Sequence, residues 1–114
     1  MLVTARENDC QFIWHAHAAH GRRAGLSDDL IDNLRDKQPF IRISPQESAV
    51  VDYGREYFRT RRVSKATFDA ALSHLGVRGL AELTSLMGYY AMLAFNINAF
   101  EMLPPAGEEA PLPV

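Results

Sequence analysis

The scarce, chemically useful side chains of this sequence fall mostly in one stretch. The only cysteine, the only tryptophan and three of the four histidines lie in the run Cys10-Gln11-Phe12-Ile13-Trp14-His15-Ala16-His17-Ala18-Ala19-His20. Imidazole exchanges its proton near neutral pH, and a thiolate is a strong nucleophile and redox group. The run therefore points to acid–base or thiol chemistry, and spacing bears on which. A dithiol cycle needs an attacking thiol close to a resolving thiol and a base. Cys10 has no second cysteine to pair with, and the residue one turn before His17 is Ile13. Cys10 and His17 are separated by about 10.5 Å of axial rise on a straight helix, beyond hydrogen-bond reach. A single-cysteine cycle with an external thiol is the catalytic role left to Cys10. Its packing role is that of a small buried apolar side chain at a helix start.

His17 is the expected acid–base residue, since a neutral imidazole can take up and return a proton at pH 7. His15, two residues away, points to another helix face. His20 lies at i+3 from His17, within reach of a shared metal ion. A metal site needs a third ligand and an open position, which the sequence does not offer, so no metal is expected. No cofactor-binding motif is present either. Glu82, on an otherwise apolar stretch, is either a pocket acid or, more commonly for such a residue, a buried anchor for a helix N-terminus or for an arginine such as Arg78. Tyr89 and Tyr90 could line a pocket, but aromatic side chains on a buried helix usually belong to the core.

Helix punctuation organises the chain around these residues. A short helix over 2–6 ends at Asn8-Asp9, and Asp9 can cap a second over about 10–23, stopped by Gly25. Ser27 caps a helix over 28–35, with Leu26 and Ile31 spaced as a hydrophobic staple. Pro39 and the Ile41/Ile43 alternation make 37–43 an extended loop. Ser44-Pro45-Gln46-Glu47 is a capping box with proline at the first helical position. It opens a helix with Val50, Tyr53, Tyr57 and Phe58 on one face. Ser64 caps the next, with Gly76 as its stop, and a last helix runs from about Gly79 to Phe100. The expected organisation is one all-α domain over 1–103 and a proline-rich tail over 104–114, loose or packed on a neighbouring molecule.

From Leu86 to Phe95 the last helix carries no charged side chain. A helix apolar all round needs cover on all sides, and a chain of 114 residues has few helices to supply it. A homo-oligomer is expected, with Gly88 allowing close approach. Membrane insertion is not expected, because Glu82, Asn96 and Asn98 interrupt a span that needs about 20 apolar residues. The net charge of −2 gives no footing for nucleic acid. The lone cysteine suits a reducing cytoplasm, and the early charges at Arg6, Glu7 and Asp9 do not suit a signal peptide.

Two stretches resemble the carboxymuconolactone decarboxylase family, which includes the AhpD-like alkylhydroperoxidases. One runs from Cys10 to Leu26 through Phe12-Ile13-Trp14-His15-Ala16-His17 and Ala24-Gly25-Leu26. The other runs from Gly79-Leu80-Ala81-Glu82-Leu83 through Gly88-Tyr89-Tyr90 to Asn98-Ala99-Phe100-Glu101. The resemblance implies an AhpD-like helical bundle assembled as a trimer or hexamer. It implies a small carboxylated lactone as substrate, His17 and Cys10 at the catalytic positions, and Ile13, Trp14 and Glu82 about the pocket. The peroxidase branch carries a second cysteine where Ile13 stands, and many decarboxylase-like members carry glutamate there. The family also has a glutamate about three helical turns ahead of the Cys10 position, which would precede Met1. The chain is thus expected to be a short member or part of a longer one. An AhpD-like antioxidant protein using Cys10, and a non-catalytic oligomeric member, are the alternatives.

Overall fold

A computed structural model describes residues 1–40, 42–107 and 109–114. Its helices are α1 (Leu2–Glu7), α2 (Gln11–Arg23), α3 (Asp28–Arg35), α4 (Pro45–Thr60) and α5 (Lys65–Ala99), and no strand occurs among the described residues. Three of the expected helix starts follow from local hydrogen bonding; at α2 Cys10, not Asp9, is the N-cap residue, and no side chain caps that start. Ser27 accepts from the Leu30 amide, and Ser64 accepts from that of Thr67. Ser44 and Glu47 complete the capping box in both directions, which satisfies amides that a helix start leaves unpaired. Gly25 ends α2 at φ 96°. Gly76 interrupts α5 at φ 72° and ψ 173°, a backbone conformation open essentially to glycine alone. The α5 helix is thus two helical arms meeting at Gly76. Residues 37–40, 42 and 43 carry no helix or strand, while Ile41 lies outside the described residues.

Two apolar clusters pack the helices, and the second joins the two arms of α5. The first gathers Leu2 and Ala5 of α1, Ile13, Trp14 and Ala18 of α2, Ile31 and Leu34 of α3, Val51 of α4 and Ala94 of α5. The second packs Tyr53 of α4 against Ala71, Leu80 and Met87 of α5. Thr84 donates its hydroxyl hydrogen to the Leu80 carbonyl, so the 2.8 Å contact between its oxygen and the Tyr53 hydroxyl is donated by the tyrosine. Short as it is, α1 contacts all four other helices. Its approach to α4 depends on Gly54, where a β-carbon would stand 2.7 Å from Val3 Cγ1. Tyr57, expected on the inward face of α4, is instead 42% exposed. The buried face is turned toward Ala49, Val51, Tyr53 and Gly54.

Among the described residues of the tail, Glu109, Leu112 and Pro113 contact the chain's own helices. Leu112 is buried at 3% exposure and belongs to the first cluster. The side-chain amide of Gln11 donates to the Leu112 carbonyl and accepts from the Leu112 amide, both at 2.8 Å. Arg6 donates to the Pro113 carbonyl at 3.1 Å, and Arg22 pairs with Glu109. The Gln11 and Arg6 contacts give partners to backbone groups that proline-rich sequence cannot satisfy in a helix, and the Arg22–Glu109 pair joins side chains. Leu112→Ala should lower unfolding free energy by about 2–5 kcal/mol in urea denaturation, the range for emptying a buried leucine site. A loss below about 0.5 kcal/mol, the level of ordinary surface changes, would mean that the tail does not contribute to the core.

Candidate functional site

The α2 helix divides the scarce side chains between core and cavity. Ile13, Trp14 and Ala18 face inward and are buried. Cys10 is the N-cap residue, fully buried, with its amide donating to the Ala5 carbonyl at 2.8 Å. The same rotation of the helix brings His17 and His20 to a cavity of about 400 Å³. Its walls are Leu2 and Val3 of α1, Leu30 and Leu34 of α3, Val50 and Val51 of α4, and Gly21, Ala24 and Leu26 around the end of α2. Glu47, from the first turn of α4, is the carboxylate on its lining. An apolar cavity with a few polar groups is the usual form of a small-molecule site.

The half-buried His17 ring is oriented by its own helix. Its Nδ1 lies 2.9 Å from the Ile13 carbonyl oxygen. A carbonyl can only accept, so Nδ1 carries the hydrogen and Nε2 keeps its lone pair. The ring is also fixed edge-on to Tyr90 of α5 at 5.0 Å between centroids, and to His20 at 5.8 Å. Burial lowers the pKa of His17 below the ordinary histidine value; the Ile13 carbonyl opposes the shift, and nearby positive charge, including that of His20, adds to it. The neutral imidazole is therefore the dominant form at pH 7. The linked effect on stability has one sign. Below the ordinary histidine range the unfolded chain takes up this proton more readily than the folded chain, so stability falls as pH drops from about 6.5.

The residues expected at the site are not brought together. His17 lines the cavity, whereas Cys10, Ile13 and Trp14 lie in the core beside it. Glu82 is on the outer surface of α5, paired with Arg78 one turn earlier at 3.0 Å. Its side chain is 66% exposed, so it neither lines the cavity nor serves as the buried anchor that was the alternative. His15 packs under the tail, where a β-carbon on Gly107 would collide with its ring. Glu47 was legible only as a capping residue. The sign that it also serves a cavity is its place at the start of a helix whose next turn carries Val50 and Val51. Among the described residues no group of three or more His, Cys, Asp or Glu side chains is placed to hold a metal ion. No helix there is long and apolar enough to cross a membrane.

The described residues form an all-α bundle with a broken closing helix and a cavity beside α2. The chain is similar to the crystal structure of a protein of unknown function from Agrobacterium tumefaciens, described as a candidate antioxidant-defence protein AhpD. The TM-score is 0.80 at 17% sequence identity, over 93% of this chain and 76% of that one. At that identity the likeness shows the fold. No protein-family model matches the sequence, and no curated protein matches it.

The burial of Cys10 has a direct chemical consequence, because a thiol enclosed by packed side chains reacts only when the structure opens. Ellman's reagent should modify Cys10 at least about tenfold more slowly in the native protein than in denaturant. Equal rates would show that the thiol is open to solvent and restore it to the reactive groups.

Proposed function

We propose that this protein binds a small organic molecule in the α2 cavity and that His17 transfers a proton to or from it. The observation that carries the proposal is the His17 ring, held with its hydrogen on Nδ1 and its Nε2 lone pair free, on the lining of an apolar cavity. In such a step Nε2 takes the hydrogen from a carbon next to a carbonyl. The C–H electron pair passes into an enolate, and the proton is returned from the imidazolium to the same or a conjugated carbon. This is the acid–base half of the chemistry implied by the resemblance to carboxymuconolactone decarboxylases. The antioxidant reading is favoured by the description of the Agrobacterium protein. The fully buried Cys10, without a second cysteine, weighs against it here. A cytoplasmic setting belongs to the same proposal and is supported by the unpaired cysteine.

Self-association is the second part of the proposal. The outer face of α5 presents Leu86, Tyr89, Met92 and Phe95 at 41%, 54%, 54% and 79% exposure, and Phe100 and Leu103 extend the apolar surface. A patch of that kind on a small protein marks a contact surface. A second copy of the chain is the proposed occupant, as the uncharged run in this helix led one to expect. Sedimentation equilibrium at micromolar concentration should give a homo-oligomer that Phe95→Lys dissociates. A wild-type protein that is a folded monomer under those conditions would contradict this.

For the chemistry, deuterium uptake from D₂O by a simple unsaturated γ-lactone should be accelerated by the protein. His17→Gln should lower the acceleration by about 10²–10⁴-fold, the usual contribution of a general base, while the circular dichroism spectrum is kept. Acceleration that persists within about tenfold in the variant would give His17 a structural role.

A further inference from the structure

The polar groups of the cavity define what it can hold. Its lining contains no lysine or arginine side chain among the described residues, and its carboxylate is Glu47. Burial disfavours the charged form of the α-amino group of Met1, which is also at this cavity. A carboxylate entering the cavity would shed water against Leu2, Leu30, Leu34 and Val51, meet no guanidinium, and face the charge of Glu47. An unpaired charge in such surroundings is strongly disfavoured. The hydrogen-bonding capacity points the same way. His17 Nε2 is an acceptor because Nδ1 holds the hydrogen, and an ionised Glu47 only accepts. A ligand that engages these two acceptors must bring the hydrogen, while His20 and the Met1 amino group on the same lining can donate.

We infer that the cavity takes an uncharged, hydrocarbon-rich molecule that offers one hydroxyl or activated C–H hydrogen to His17, and that Glu47 turns carboxylates away. The assignment rests on the proton-transfer role proposed above for His17 and narrows its substrate to a neutral compound, away from a carboxylated lactone. Glu47 is a selectivity residue in this scheme. Its oxygen accepts from the Ser44 amide in the capping box at 3.3 Å. A glutamine keeps that helix start while removing the charge.

Three probes with one carbon skeleton test the assignment on the full chain: cyclohexylmethanol, cyclohexanecarboxylate and cyclohexylmethylamine. Binding at pH 7.5 is followed by nuclear magnetic resonance shifts at Gly21 and the His17 ring. The alcohol should bind at least about tenfold more tightly than the carboxylate, the weight of one unpaired polar contact. Glu47→Gln should narrow that ratio to about threefold or less. Carboxylate binding equal to or tighter than the alcohol would overturn the inference, as would an unchanged ratio in Glu47→Gln or a clear preference for the amine. Failure of the catalytic role alone has a different signature. The alcohol would still bind selectively and shift both signals, while His17→Gln left deuterium uptake unaltered.

Discussion

One buried guanidinium ties this fold together. Arg6 sits in α1 at 5% exposure. Its Nε donates to the Arg35 carbonyl at 2.6 Å, its Nη1 pairs with Asp9, and its Nη2 donates to the Pro113 carbonyl. A charge so enclosed is tolerable only when its donors are met, and here each nitrogen has a partner in a different part of the chain. The Asp9 contact fixes the turn from α1 to α2, where Asp9 itself takes φ 50°. The Arg35 contact receives a carbonyl from the end of α3, which a helix C-terminus leaves unsatisfied. The Pro113 contact pins the tail. Loss of this side chain would leave three segments without their common partner.

With the turn fixed, the rotation of α2 follows, and the division between core and cavity follows from that rotation. His17 and Gly21, four and eight residues after Ile13, share its side of the helix one and two turns further on, where the packed core gives way to the cavity. The ring of His17 therefore stands at the border of the packed interior. It is dry enough for its pKa to fall and open enough for Nε2 to meet a ligand. Cys10, at the first turn of the same helix, is carried into the core beneath Leu112 rather than to the cavity. The chemistry that the site offers is thus decided by helix geometry more than by the presence of a thiol.

Helix limits were legible because they depend on contacts a few residues apart. Ser27, Ser44 and Ser64 cap, and Gly25 and Gly76 break, for reasons that local sequence contains. His17 stood out by residue type and spacing. Arg6 did not, since two of its three partners lie 29 and 107 residues away and nothing nearby announces them. The seating of Leu112 against Gln11 was hidden for the same reason, and proline content alone suggested a loose end. Glu82 was misplaced toward a pocket because an acid amid apolar residues resembles a buried one. Its position on the helix puts it on the outer face, beside Arg78. The uncharged run that suggested a helix needing cover on all sides proved one-sided. Met87 and Ala94 are buried, while Tyr89, Met92 and Phe95 are exposed.

The central claim is that His17 is a neutral base at pH 7 with its hydrogen on Nδ1. Nitrogen-15 spectroscopy of the histidine rings across a pH titration reads both parts at once. A hydrogen on Nδ1, an unprotonated Nε2 and a midpoint below the ordinary value near 6.5 are the predicted result. A hydrogen on Nε2, or a midpoint above that value, would contradict the account, because the nitrogen facing the ligand would then have no lone pair to give at neutral pH.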